Sequence, residues 1–441
     1  MHRILLFTGC ILMVLSSCGE PARPNIVMIV IDTLRAENLS CYGYGRNTTP
    51  SIDSLAAAGT LWTSCIAQSS WTLPSFTSML TGTSERTHGA GVDPELTDMD
   101  EGSEWWSCEN MLHPDAPYLP TILRDYGYRT YGHFNTAYVD SVHGFSRGFD
   151  RYTCQTGAPA DADVIVQGFI GWADSTDSEE PFFALLHLFD PHAPYDPPSP
   201  YDTLFGPLAE EHRTFWDVSR DSTRRSISDP GNRQHYIDLY DGEIAFADAQ
   251  LGRLFSFIRS EGLAGNTMII VVADHGEEFL EHGGFGHGHA FYQQIVHVPL
   301  ILSGASIPAG VRDTAWVGHF DIAPTILAML DIEVPEVMEG NDLFSPSRVS
   351  RVIPSSGKLY MENDWICSVV RDGVKTLRMD DGTRFIDFSA NLVTDPGEME
   401  LEEVENSGDL DNYMLTPRAW EPMQVRMDES LSPALRDLGY F

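Results

Sequence analysis

Three stretches of the chain are predominantly apolar and then stop at a polar residue. Asn25 to Asp32 (NIVMIVID), Phe182 to Phe189 and Met268 to Val272 lack the alternation of a strand with one wet face. Each therefore reads as a central strand buried on both sides, the pattern of a parallel sheet covered by helices. Helical spacing appears between them. Thr49-Pro50-Ser51 opens a helix through Ala58 that Gly59 stops, and Pro74 fits the first turn of a helix ending at Gly82, which puts Thr72 at or just before its N-terminus. His235 to Ile258 sets Ile237, Tyr240, Ile244, Ala247, Leu251 and Leu254 on or near one face and reads as core packing. Asp321, before Ile322-Ala323-Pro324, reads as a helix cap.

The polar ends of the strands carry the chemistry, because ligands of open α/β sheets bind outside the carboxyl ends of the strands. The first strand delivers Asp32. The strand at Met268 ends in Ala273-Asp274-His275-Gly276, with His282, His287 and His289 in the loop that follows, and the strand at Phe182 leads into Asp190-Pro191-His192. Singly, these residues have ordinary explanations: Asp32 a turn or cap, Thr72 an N-cap, His192 a loop histidine. Together, two carboxylates and several imidazoles packed beside glycine serve no core. Asp32, Thr72, Asp274 and His275 form a candidate ligand set for a divalent cation, and its imidazole tilts the preference from calcium toward zinc or manganese. His287 and His289 are either substrate ligands or part of a second metal site.

With 441 residues and 42% apolar content, the chain can bury one large α/β core and a smaller appended unit. The formal net charge is -37 and the only lysines are Lys358 and Lys375, which disfavours nucleic-acid binding through a basic patch. At the N-terminus, His2 and Arg3 precede the apolar run Ile4 to Leu15, too short to span a bilayer as a mature helix and of signal-peptide form. Leu15-Ser16-Ser17-Cys18 resembles the bacterial lipobox, whose cleavage leaves a lipidated cysteine; a plain secretory signal is the alternative. The expectation is a protein of the bacterial cell envelope, lipid-anchored through Cys18 on a periplasmic or extracellular face. Cys41, Cys65, Cys108, Cys154 and Cys367 then remain, allowing at most two disulfides and one thiol left over.

The segments NIVMIVIDTLRAENLSCYGYG, WTLPSFTSMLTG, FFALLHLFDPHAPYDPP, YDGEIAFADAQLGRL, VVADHGEEFLEHGGFGHGHAFYQQIVHVPLIL and HFDIAPTILAML, taken in order from about Asn25 to Leu343, resemble the sulfatase branch of the alkaline phosphatase superfamily. The resemblance implies a mixed, mostly parallel central sheet flanked by helices, with the active site at its carboxyl edge, and a small C-terminal antiparallel sheet with a helix. The chain accordingly divides into a leader (1–18), a catalytic part (24–345) and a C-terminal subdomain and tail (346–441). By the same resemblance His192 contacts the transferred group or protonates the leaving oxygen.

The departures from the family pattern redirect the chemistry. Where sulfatases carry Cys-x-Pro-x-Arg or Ser-x-Pro-x-Arg, whose first residue becomes formylglycine, this chain has Thr72-Leu73-Pro74-Ser75-Phe76, so no formylglycine is expected. The family's Asp-Asp is Asp32-Thr33, and a lysine of the family pattern corresponds to His287. A formylglycine hydrate has two hydroxyls, one to attack sulfur and one to expel sulfate; threonine has one, so a sulfated Thr72 would be an inert alkyl sulfate. A phosphorylated Thr72 can be attacked at phosphorus by water or an alcohol. The expected activity is metal-dependent hydrolysis of phosphate mono- or diesters or phosphonates through Thr72, on a small-molecule, glycan or lipid ester, with His192, His287 and His289 toward substrate. Sulfuric ester hydrolysis, transfer of phosphoethanolamine or phosphoglycerol, and an inactive ligand-binding lipoprotein are the alternatives; the oligomeric state stays open.

Overall fold

The computed structural model describes residues 23–92, 109–156, 159–175, 180–207, 227–358, 365–380, 384–405, 407–421 and 423–425. The leader with Cys18, the acidic insertion from Asp100 with Trp105 and Trp106, and Cys108 lie outside them.

The apolar runs form the middle of an eight-stranded sheet. Its strands in chain order are β1 (Asn25–Ile31), β2 (Gly59–Ile66), β3 (Arg129–Asn135), β4 (Arg151–Gln155), β5 (Phe182–Leu188), β6 (Thr267–Ala273), β7 (His297–Gly304) and β8 (Val311–Gly318). Across the sheet they run β8-β2-β7-β6-β1-β5-β3-β4. Every neighbouring pair is parallel except those made by β7, which lies antiparallel to both β2 and β6. All seven residues of β1, β5 and β6 are buried, as expected of strands covered on both faces.

Register converts this sheet into a site. Ile31 lies opposite Leu188 on one side and Ala273 on the other. The next residue of β1, Asp32, therefore emerges level with the residue after β6, Asp274, at the carboxyl edge. A slip of two residues would separate the two carboxylates by a full pleat repeat.

Helix α1 (Pro50–Ala57) is capped from outside its own sequence: Asp248 accepts the N–H groups of Ser51 and Ile52 at 2.9 and 2.8 Å. Helix α2 (Thr72–Thr81) is buried along its whole length and stops at Gly82, which takes the left-handed conformation at φ 68°. Helix α3 (Ala162–Asp174) precedes β5, and α4 (Pro230–Ser260), longer than its apolar spacing suggested, precedes β6. Asp321 differs from expectation. Its carboxylate accepts from Gly318 N at the head of a 3-10 turn, from Asn341 N, and pairs with Arg351; it does not cap the following helix α5 (Ile322–Met329).

Beyond the sheet, Ile353–Lys358, Trp365–Arg371, Val374–Asp380, Phe385–Asn391 and Glu402–Val404 pair in that order, all antiparallel, and the helix Gly408–Met414 packs Leu410 and Tyr413 on Cys367 and Val369. Ile353, Val370, Leu377 and Leu392 join the main core. Lys375, buried, donates to Phe291 O and pairs with Glu398, whose Oε2 accepts from Gln293 N at 2.6 Å. This links the C-terminal sheet to the loop preceding β7. Cys41, Cys65, Cys154 and Cys367 are all free.

His88, at the end of the short helix Glu85–His88, supplies a pH prediction. Ala90 N donates to its Nδ1 at 3.0 Å, so the proton sits on Nε2, which donates to Ser78 Oγ at 2.9 Å. Burial pushes its pKa from 6.5 down to about 3. The unfolded chain takes up this proton first, so the contribution to stability is intact above about pH 6.5 and decays as pH falls toward about 3. Urea midpoints between pH 6 and 4 should fall less steeply in His88→Gln than in the parent protein.

Candidate active site at the carboxyl edge

Three elements bring Asp32, Asp274 and His275 together: the ends of β1 and β6, and the turn after β6. One ligand atom from each lies within 4.8 Å of the others, and all three residues are fully buried. Asp274 Oδ1 is held by His275 N at 2.9 Å and Thr33 N at 3.3 Å, and its Oδ2 has no hydrogen-bond partner. Asp32 Oδ2 faces His187 Nε2 at 3.2 Å, and its Oδ1 likewise has none. His275 Nδ1 donates to Gly276 O at 3.0 Å, which leaves the lone pair on Nε2. That nitrogen lies 3.6 Å from Asp32 Oδ1 and 3.5 Å from Asp274 Oδ2.

Two orphan carboxylate oxygens and an imidazole lone pair aimed at one point form a donor set that fits a divalent cation. Charges buried without compensation are costly. The strain registers in proton affinity. Burial, then the Asp274 charge, holds Asp32 well above the usual carboxylate range. Burial works against charging His275, but Asp274 and Asp32 outweigh it and raise its value. A bound cation takes the place of those protons.

Thr72 is the fourth member. It is the first residue of α2, 1% exposed, and its Oγ1 lies 3.4 Å from His275 Nε2. Trp71, the residue before it, gives the helix no side-chain cap, and Pro74 has no N–H. The hydroxyl thus sits among the unpaired donors and positive end of the helix, where developing negative charge is favoured.

The predicted histidines separate into two groups. His287 packs against His275 at 4.3 Å between ring centroids and against His192 at 5.0 Å. His192 stacks on Phe189, donates from Nδ1 to Ala193 O at 2.6 Å, and is held well below its usual value by burial and the neighbouring His287. Its neutral ring therefore has Nε2 as the basic nitrogen. His289 is instead turned to Glu278 at 2.8 Å, whose other oxygen accepts from His282 N and Gly284 N, and His282 reaches Gly397 O. That pair organises the loop.

Two contributors were missed by reading the sequence. Glu277, fully buried, accepts from His287 Nδ1 and Tyr195 Oη, both at 3.1 Å, and orients the imidazole. His187, on β5, sets Nδ1 against Asn135 O at 3.0 Å and Asn135 N at 3.3 Å and turns Nε2 to Asp32 Oδ2 at 3.2 Å. The lone imidazole inside an otherwise apolar strand was the available signal. The family departures also acquire locations. Phe76 lies edge-on to His187 at 4.8 Å and packs on Phe134 and Phe145. Thr33 takes φ 54°, costly for a β-branched residue, with its hydroxyl buried and unpartnered.

Asp274→Asn tests the cation site without an activity assay. The amide keeps Oδ1 in place and turns a donor toward Asp32 and His275, so the metal-free variant should unfold at higher urea than metal-free parent, by about 1–3 kcal/mol. Zinc or manganese should stabilise the parent and leave the variant unmoved. Calorimetric melting with and without chelator reads both.

A family model described as Sulfatase matches residues 24–332. Arylsulfatase K of Bos taurus is 25% identical over 388 residues, covering 77% of this chain and 67% of the relative. Among solved structures, a protein in complex with its substrate D-glucosamine-2-N,6-O-disulfate superposes with a TM-score of 0.71 at 18% identity, over 94% of this chain and 98% of the other. The phosphonate monoester hydrolase of Agrobacterium radiobacter superposes with a TM-score of 0.67 at 19% identity, over 89% and 94%. These likenesses show the same mixed sheet with its small C-terminal antiparallel sheet. With most of its length inside the family model, the chain belongs to the sulfatase family of ester hydrolases.

Proposed function

We propose that the protein cleaves phosphate mono- or diesters or phosphonates through a covalent Thr72 intermediate, with a divalent cation, zinc or manganese by preference, held by Asp32, Thr72, Asp274 and His275. The observation that carries this reading is the Thr72 hydroxyl 3.4 Å from His275 Nε2, beside carboxylate oxygens with no other partner. A cation held by these residues would supply Lewis acidity, easing loss of the hydroxyl proton and offsetting charge on the transferred group.

The chain's own groups account for the remaining steps. Thr72 Oγ1 attacks phosphorus, an Oγ–P bond forms, and the bond to the leaving oxygen breaks. The His287–His192 pair carries the threonine proton to that oxygen, Glu277 stabilising the imidazolium in transit. Water then attacks the threonyl phosphate, its proton returns through the same pair to Oγ1, and inorganic phosphate or a monoester leaves. His289, engaged with Glu278, shapes the substrate face through its loop. The leader, if cleaved before Cys18, puts this chemistry outside the cytoplasm on a lipid anchor.

Sulfuric ester hydrolysis is the second reading, favoured by the arylsulfatase relative. A single hydroxyl argues against it, since the threonyl sulfate has no second oxygen to expel the group. Purified protein assayed on aryl phosphate, phosphodiester, phosphonate and sulfate esters distinguishes the two. Thr72→Ala should lower phosphoester turnover by about 10³-fold or more, and mass spectrometry with a slow substrate should find phosphate on Thr72. Sulfate turnover that survives Thr72→Ala refutes the proposal.

A further inference from the structure

A cavity of about 330 Å³ shares His192 with the reaction centre. Asp161, Asp190, Asp196 and Glu243 line it, and no lysine or arginine does. Asp190 Oδ1 accepts from Ala162 N at 3.0 Å, while its Oδ2 is sealed from solvent with no hydrogen-bond partner. Glu243, 6% exposed, accepts from Asp196 N at 2.7 Å. On α4 it lies three residues before Phe246, so carboxylate and ring share a helix face and both reach the cavity. Phe189 completes the wall and stacks on His192 at 4.2 Å.

This combination fits an organic cation better than a metal ion. Among the described residues, the convergence of three ligand atoms occurs at Asp32, Asp274 and His275 and not in this cavity. The volume suits several carbon atoms, and carboxylates interleaved with aromatic faces are the surroundings in which alkylammonium groups bind. We propose that the cavity is a subsite for an ammonium group, primary or quaternary, carried by the alcohol portion of the ester. The inference rests on the phosphoester reading for the reaction and adds the substrate class. Burial pushes Asp190 up to about 7 and raises Glu243 well above its ordinary value; a fixed positive charge offsets that cost. The path from the ligand His275 to the cavity runs through His287 and His192, in ring-to-ring steps of 4.3 and 5.0 Å. Because His192, assigned to the leaving oxygen, itself lines the cavity, a short chain from that oxygen places the nitrogen inside it.

The test uses two monoesters that differ only in the charge of the leaving alcohol, phosphocholine and its uncharged carbon isostere, 3,3-dimethylbutyl phosphate, each followed by release of inorganic phosphate. The expected ratio of kcat/KM is roughly tenfold in favour of the ammonium ester, collapsing toward unity in Glu243→Gln and in Asp196→Asn, two variants so that misfolding of one leaves the other. Choline should raise the melting midpoint of the full chain, and 3,3-dimethylbutanol should not. Equal rates for the two esters with no choline effect overturn the subsite and leave the phosphoester reading standing. Choline binding that depends on Glu243, with neither ester cleaved, upholds the subsite and removes the reaction assigned beside it. A Glu243-dependent response to calcium without one to choline shows a metal site and also overturns the proposal.

Discussion

The structure depends on an electrostatic conflict. Two carboxylate oxygens and one imidazole lone pair meet inside the protein where water is excluded, and at such separations like charges repel strongly in a low dielectric. The arrangement persists because the sheet leaves it no alternative: three central strands are buried on both faces, and their register places Asp32 and Asp274 at the same level. The apolar core stabilises the fold and thereby holds the conflict in place. The resulting site favours positive charge, as the raised proton affinities of Asp32 and His275 show.

The residues packed around that point are largely apolar or neutral. Phe76 adds an apolar wedge, and the neutral His187 it touches makes the hydrogen bond to Asp32. Thr33, next to Asp32, takes a left-handed backbone conformation.

Much of this was legible in the residues. The apolar runs ending at Asp32 and Asp274 revealed both the strands and their chemistry, because a carboxylate closing a doubly buried strand has few structural uses. The segment after His275 was harder, since spacing alone treats His282, His287 and His289 alike. Only the fold shows that Glu277 claims His287 while Glu278 claims His289. His187 was hidden by its apolar neighbours, and Glu243 by a helix whose periodicity describes core packing; neither pattern encodes what lies across the fold. The cysteines allowed at most two disulfides, and the four described ones, Cys41, Cys65, Cys154 and Cys367, are free.

Lys375 gives the C-terminal sheet a significance beyond its size. Its ammonium is buried against Glu398, and that carboxylate and Phe291 O anchor the chain between the histidine-bearing loop and β7. Catalytic competence is consequently a property of the undivided polypeptide: a fragment ending before residue 353 would keep every proposed ligand yet lose the brace that sets how tightly the loop closes over them.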